Sequence, residues 1–194
     1  MAIAPEGWLA EQIGGTEAMV TTLVEPGVSP ETFDPSPKNM AAIAAADLFF
    51  VSGFTFEEEL AKKMAQNSAT RFITPSDTLP LRYFKPQEAH HHHHEEGAAI
   101  HHNESIDPHF WFSIKHMRHH AKVIATAMIA ARPQQKAYFT ANLDKVLNEL
   151  NHLEKEAKEM LTPFKERAFL VFHPTYGYLA EELGLTQVAI EAEG

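Results

Sequence analysis

The chain has no cysteine. Disulfides and thiolate zinc sites are therefore excluded, and any bound metal must be held by histidine, aspartate or glutamate. Nor does any apolar run approach the ~20 residues that a membrane-spanning helix needs. Positive charge is thin as well: 16 Lys and Arg stand against 26 Asp and Glu, a formal net charge of -10, and no Lys/Arg block interrupts the sequence. That balance argues against nucleic acid or an anionic membrane as partner and makes a cation the natural guest. No export signal stands before Met1, which leaves two placements: cytoplasmic, or exported with the signal outside this sequence.

What the chain does have is histidine. The stretch EAHHHHHEEGAAIHHNESIDPHFW, residues 88–111, contains His90, His91, His92, His93 and His94 in a row, then Glu95 and Glu96, then His101 and His102. A purification tag would stand at a terminus, and this run lies mid-chain. Histidine and acid without a packing pattern between Gln87 and Ser105 reads as a metal-related loop, its bland rival being a solvated insert. With 194 residues and 44% hydrophobic content, the chain can bury the core of one domain, or of one domain plus a fragment of another.

Short apolar runs alternate with amphipathic stretches in the first part of the chain. Residues 19–24 read as a strand ended by Glu25-Pro26-Gly27, and Ser36-Pro37 opens a helix as N-cap and first helical residue. A strand over 48–51, a helix over 56–65 and a strand over 71–73 complete a βαβαβ rhythm, which predicts a mainly parallel sheet covered by helices. After the histidine run the period changes. Ile114, Met117, Ala121, Ile124 and Met128 step by 3 and 4 along one helix face, which must end near Arg132 because Pro133 follows. Leu143, Val146, Leu150, Leu153, Ala157, Met160 and Phe164 continue that stepping on a second helix, a spine about 40 Å long at ~1.5 Å per residue. A strand over 168–172, a helix over 175–183 ended by Gly184, and a strand beginning at 188–190 close the chain. The fold class is α/β: a parallel-sheet βα lobe over 1–132 with its histidine loop at 87–105, a connecting helix over 133–164, and the start of a second βα lobe over 165–194.

Three residues stand out as candidate ligands. Glu31 follows the predicted strand 19–24, His109 lies between the histidine loop and a helix start, and His173 follows the strand ending at Phe172. In open α/β sheets ligands bind beyond the carboxyl ends of strands, which suits Glu31 and His173. Taken singly each has a plain reading: a glutamate after a proline turn is usually solvated, and a histidine before Pro174 can bond a backbone carbonyl. His116 and His120, four apart on the helix after His109, could clamp a metal, but they fall off the apolar stripe and are expected to face solvent. His152 is expected on the outer side of the spine. Glu57, Glu58 and Glu59 head a helix, where acids favour the dipole.

The strings VEPGVSPETFDPSPKNMAAIAAADLFFVSGFTFEEEL (24–60), IDPHFWF (106–112) and FLVFHPTYGYLAEELGL (169–185) resemble, in this order and separation, the metal-binding proteins of bacterial ABC importers for zinc and manganese. The likeness runs from near the first residue to the last and includes the histidine loop of zinc-type members and the long helix that joins two lobes. It implies that His109 in DPHFW and His173 in FHPTYGY are the second and third ligands. Glu31 takes the place of the family's usual first histidine, a PHTYEP-like pattern that here reads PETFDP. A carboxylate there tilts preference somewhat toward Mn²⁺, whereas manganese-type members tend to have an acid where this chain has His173. The family's chain continues through a second lobe that carries a fourth ligand, and this sequence ends at that lobe's first strand.

The resemblance implies extracytoplasmic binding of Zn²⁺, with Mn²⁺ as alternative, for delivery to an ABC permease of the inner membrane, by a periplasmic or surface-anchored protein. His90, His91, His92, His93, His94, His101 and His102 would form secondary, weak sites. Neither an HExxH signature nor a Ser/His/Asp order points to catalysis. Two other functions are compatible with the same residues: a metal-dependent hydrolase with Glu31 as base, and a free-standing zinc buffer.

Overall fold

The computed structural model describes residues 1–64, 68–84 and 106–190. Ten regular elements follow in order: α1 (Ala4–Gly14), α2 (Pro37–Ala44), β1 (Leu48–Phe50), α3 (Thr55–Met64), β2 (Arg71–Ile73), α4 (Ile114–Ala131), α5 (Lys136–Leu161), β3 (Ala168–Val171), α6 (Gly177–Leu183) and β4 (Thr186–Ala189). The strands form two parallel pairs, β1 with β2 and β3 with β4. Each pair is linked through a helix, the crossover that a parallel pairing requires. The α/β reading therefore holds, as two βα units on either side of a long helix rather than one broad sheet.

Local chemistry sets several boundaries where the sequence places them. Ser36 Oγ accepts from Asn39 N at 3.3 Å while Asn39 Oδ1 accepts from Ser36 N at 2.9 Å, a reciprocal cap with Pro37 in the first turn of α2. Gly184 ends α6 in the left-handed region, φ 68°, which glycine adopts without a Cβ penalty. The α5 helix runs for 26 residues, flanked by 3-10 turns over Pro133–Gln135 and Thr162–Phe164.

Helices α1, α4 and α5 pack around the main core, built from Leu9, Ile13, Met117, Ala121, Ile124, Met128, Phe139, Val146 and Leu150 with Phe50 of β1. The spine's apolar stripe outruns this body. Val146 and Leu150 are buried, but Leu153, Met160 and Phe164 on the same stripe are 51%, 72% and 49% exposed.

One expectation is corrected and one helix is added. Residues 19–24 are not a strand: Leu23 N and Val24 N donate to Met1 O and Ala2 O, a pairing too short to propagate as a ladder. Residues 4–14 form a helix that the periodicity does not reveal, because its buried face carries Glu6, Gly7 and Gly14 beside Leu9, Ala10 and Ile13. Among the described residues no helix is long and apolar enough to cross a membrane.

Candidate metal centre

Three loops deliver three side chains to one point. Glu31 sits in the 3-10 turn Pro30–Thr32, where Ser29 Oγ accepts from Glu31 N at 3.3 Å. His109 lies just before the 3-10 turn Phe110–Phe112 that leads into α4. His173 follows β3 and its carbonyl accepts from Thr175 N at 2.8 Å. Sequence separation is large, yet His109 Nε2 lies 3.3 Å from His173 Nε2, and Glu31 Oε1 lies 3.7 Å from each. Ligands at ~2.0–2.1 Å around a tetrahedral ion stand about 3.3–3.4 Å apart. The three atoms already sit near that spacing.

Orientation is fixed from behind. Asp107 Oδ1 accepts from His109 Nδ1 at 2.8 Å and from His109 N at 3.0 Å, so the proton stays on Nδ1 and Nε2 presents its lone pair to Glu31 and His173. Asp107, wholly buried, is in turn bonded by Arg82 Nη1 at 2.7 Å. This is the carboxylate–histidine arrangement that aligns metal-binding imidazoles. The Trp111 ring stands 5.1 Å from the His109 ring and the Phe84 ring 6.4 Å, both edge-on to it. His109 is 5% exposed in its side chain, against 26% for His173 and 28% for Glu31, so the site opens toward the last two.

Sequence patterning alone does not distinguish Asp107 or Arg82 from their neighbours. The DPH string contained the first signal, a carboxylate two residues before the imidazole; Arg82 lies in a proline-rich segment without a readable pattern. A third addition is Tyr178 of α6. Its hydroxyl accepts from Arg82 N at 2.9 Å and donates to Asp107 O at 3.0 Å, and burial pushes its pKa up to about 12.

The histidines of α4 correct the sequence reading: His116 and His120 are buried, not solvent-facing. The helix is packed by α1, α5 and the 3-10 turns Pro75–Thr78 and Phe110–Phe112, and polar positions off the apolar stripe are enclosed as well, His120 by Glu6 and Phe110 and His116 by Pro80 and Tyr178. His116 contacts Ser113 Oγ at 2.7 Å and Pro80 O at 3.3 Å, and burial lowers its pKa. His120 Nδ1 lies 2.9 Å from Glu6 Oε1. Neither reaches the Glu31 cluster. His152 is exposed, as expected. Glu57 has a structural role, though not chiefly through the dipole: its buried carboxylate accepts from the N–H groups of Ser52, Gly53 and Phe54. His90, His91, His92, His93, His94, His101 and His102 lie outside the described residues.

A long helix between two parallel βα units, with two histidines and a carboxylate converging from their loops, defines an α/β protein with a candidate metal site. The profile of the ZnuA family, zinc-uptake complex component A, periplasmic, matches residues 1–194, and the chain belongs to that family. It is 33% identical over 183 residues to the high-affinity zinc uptake system protein ZnuA of Bacillus subtilis, covering 93% of this chain and 56% of that protein. It is 26% identical over 189 residues to the manganese-binding lipoprotein MntA of Halalkalibacterium halodurans, covering 95% and 57%. Among solved structures, a zinc-bound deletion mutant of ZnuA aligns with a TM-score of 0.82 at 29% identity, over 98% of this chain and 68% of that one. Zinc-bound AdcA of Streptococcus pneumoniae aligns with a TM-score of 0.81 at 25% identity, over 97% and 38%. The chain spans a little over half the length of these two curated relatives.

Proposed function

We propose that this chain binds a divalent transition metal outside the cytoplasm, zinc foremost and manganese as the alternative, and delivers it to an ABC permease of the inner membrane. The observation that carries the reading is the convergence of Glu31 Oε1, His109 Nε2 and His173 Nε2 to within 3.3–3.7 Å of one another. Family membership and relatives named for zinc uptake and manganese binding support it. In this reading Glu31, His109 and His173 are the metal donors. Residues 1–132 form the N-terminal lobe, 133–164 the connecting helix and 165–194 the beginning of the C-terminal lobe. The protein is periplasmic or surface-anchored, binds and hands on its ion, and catalyses no reaction. The histidine-rich segment adds weaker zinc sites of its own.

Two neutral imidazoles and one carboxylate form a borderline-soft donor set, which suits Zn²⁺ better than Mn²⁺. Titration calorimetry with each metal tests the reading. One tight zinc event is expected, lost in His109→Ala and in His173→Ala. A tight event that survives both substitutions would overturn it.

A further inference from the structure

Arg82 joins the two halves of the donor set. Its Nη1 donates to Asp107 Oδ2 at 2.7 Å, and Asp107 orients His109. Its Nε donates to Glu181 Oε1 at 3.0 Å, on α6, the helix that follows His173. The same residue's N–H donates to Tyr178 Oη, which donates to the Asp107 carbonyl, so backbone and side chain of Arg82 grip both elements. Gly177, the first residue of α6, leaves the room this needs: a Cβ there would stand 2.3 Å from Arg82 Cζ and 2.5 Å from its Nε and Nη1.

We propose that Arg82 is a positioning residue of the metal centre, a strut that, seated on Gly177 and anchored by Asp107 and Glu181, sets the distance between His109 and His173 before an ion arrives. The inference rests on the assignment of those histidines as donors. A planar guanidinium can address two carboxylates on different elements at once, whereas an ammonium offers a point charge without that fork. Enclosed as it is, at 8% exposure, Arg82 is held by its partners rather than by solvent. The α6 helix has other attachments, Ser113 Oγ to Glu182 and the His116 ring 4.9 Å from Tyr178, so the loss of the strut loosens the spacing without undocking the helix.

The test uses the full chain with three substitutions. Gly177→Ala keeps every charge but takes the space of the guanidinium. Glu181→Gln weakens one anchor at a half-exposed side chain and leaves the fold intact, and Glu182→Gln alters an α6 carboxylate that does not touch Arg82. Zinc affinity is read by chelator competition, coordination by the d–d spectrum of the cobalt(II)-loaded protein, and the apo fold by its thermal midpoint. Gly177→Ala is expected to weaken zinc about 10–100-fold, the range for a lost outer-shell partner. It also shifts the cobalt spectrum. Glu181→Gln moves both readouts in the same direction by less, and Glu182→Gln moves neither. Wild-type affinity and spectrum in Gly177→Ala and Glu181→Gln, whatever the thermal midpoint does, would refute the strut. If Gly177→Ala does not fold, Glu181→Gln alone decides. His109→Ala is measured alongside: tight zinc binding by that variant overturns the donor assignment itself.

Discussion

The ring nitrogens of His109 and His173 face each other at 3.3 Å although in sequence the residues are 64 apart, with the 26-residue helix α5 between them. Two neutral Nε2 lone pairs at that distance repel unless a proton or a cation lies between them. With Glu31 Oε1 3.7 Å from both, the arrangement favours a cation at that point.

Deletion of residues 87–105 should leave the tight zinc event of the converged site in place and abolish only the weaker ones, since Glu31, His109 and His173 all lie outside the deleted segment. The backbone bridge between Tyr83 and Ile106 ties the chain on either side of it. The weak events should also fade first on acidification, as unperturbed imidazoles protonate near ~6.5. Calorimetry at two pH values reads both effects; a tight event that vanishes with the deletion would reassign the site to the histidine run.

Glu31→His should raise the preference for zinc over manganese. It replaces a hard oxygen donor with an imidazole at the half-exposed corner of the site. The manganese dissociation constant divided by that for zinc, from competition against a common chelator, is expected to rise several-fold, and an unchanged or lower value would contradict the assignment of Glu31 as a donor.

His120→Ala should destabilise the protein by about 3 kcal/mol or more, because it removes one member of a wholly buried pair with Glu6 and leaves a carboxylate in the core. Zinc affinity should be unchanged. Urea unfolding of the apo protein measures the first and calorimetry the second. His109→Ala differs in the second readout: it also breaks a buried pair, with Asp107, but it should abolish tight zinc binding.

Glu57 gives the fold a pH dependence of known sign. Burial, reinforced by Glu6, outweighs the N–H bonds from Ser52, Phe54 and Gly53 and raises its pKa from 4.5 to about 7. Between those values the folded chain holds the extra proton, so the contribution of Glu57 makes stability fall as pH rises from 4.5 to about 7 and then level off. At ~1.4 kcal/mol per pKa unit the span is worth about 3 kcal/mol. Glu57→Gln should remove that part of the slope. Urea titrations at pH values inside and above the window check it, and identical slopes in the two proteins would rule it out.

Elements whose own chemistry sets their ends were legible in the chain. The Ser36–Pro37 cap of α2, the proline that closes α4 and the glycine that ends α6 act within a few residues, and sequence displays such short-range causes directly. Helix α1 was not legible, because Glu6, Gly7 and Gly14 break the apolar period of its buried face, and those residues make sense only against Ser52, Thr22 and Ala18. His116 and His120 are buried for a related reason: periodicity identifies the apolar stripe of a helix, and cannot show that neighbouring elements bring polar partners, Glu6 for His120 and Pro80 for His116, to the positions beside it.

Composition by itself determined the donor chemistry, no thiolate in an acidic chain, and the resemblance of three motifs to a metal-binding family picked out Glu31, His109 and His173 as candidates. Only the tertiary structure decided that these three side chains share one point, that Asp107 holds the proton on the far nitrogen of His109, and that Arg82 reaches across to α6. The physical reason is that residue type fixes which atoms can donate to a metal, whereas their separation is set by the packing of loops and helices far apart in the chain.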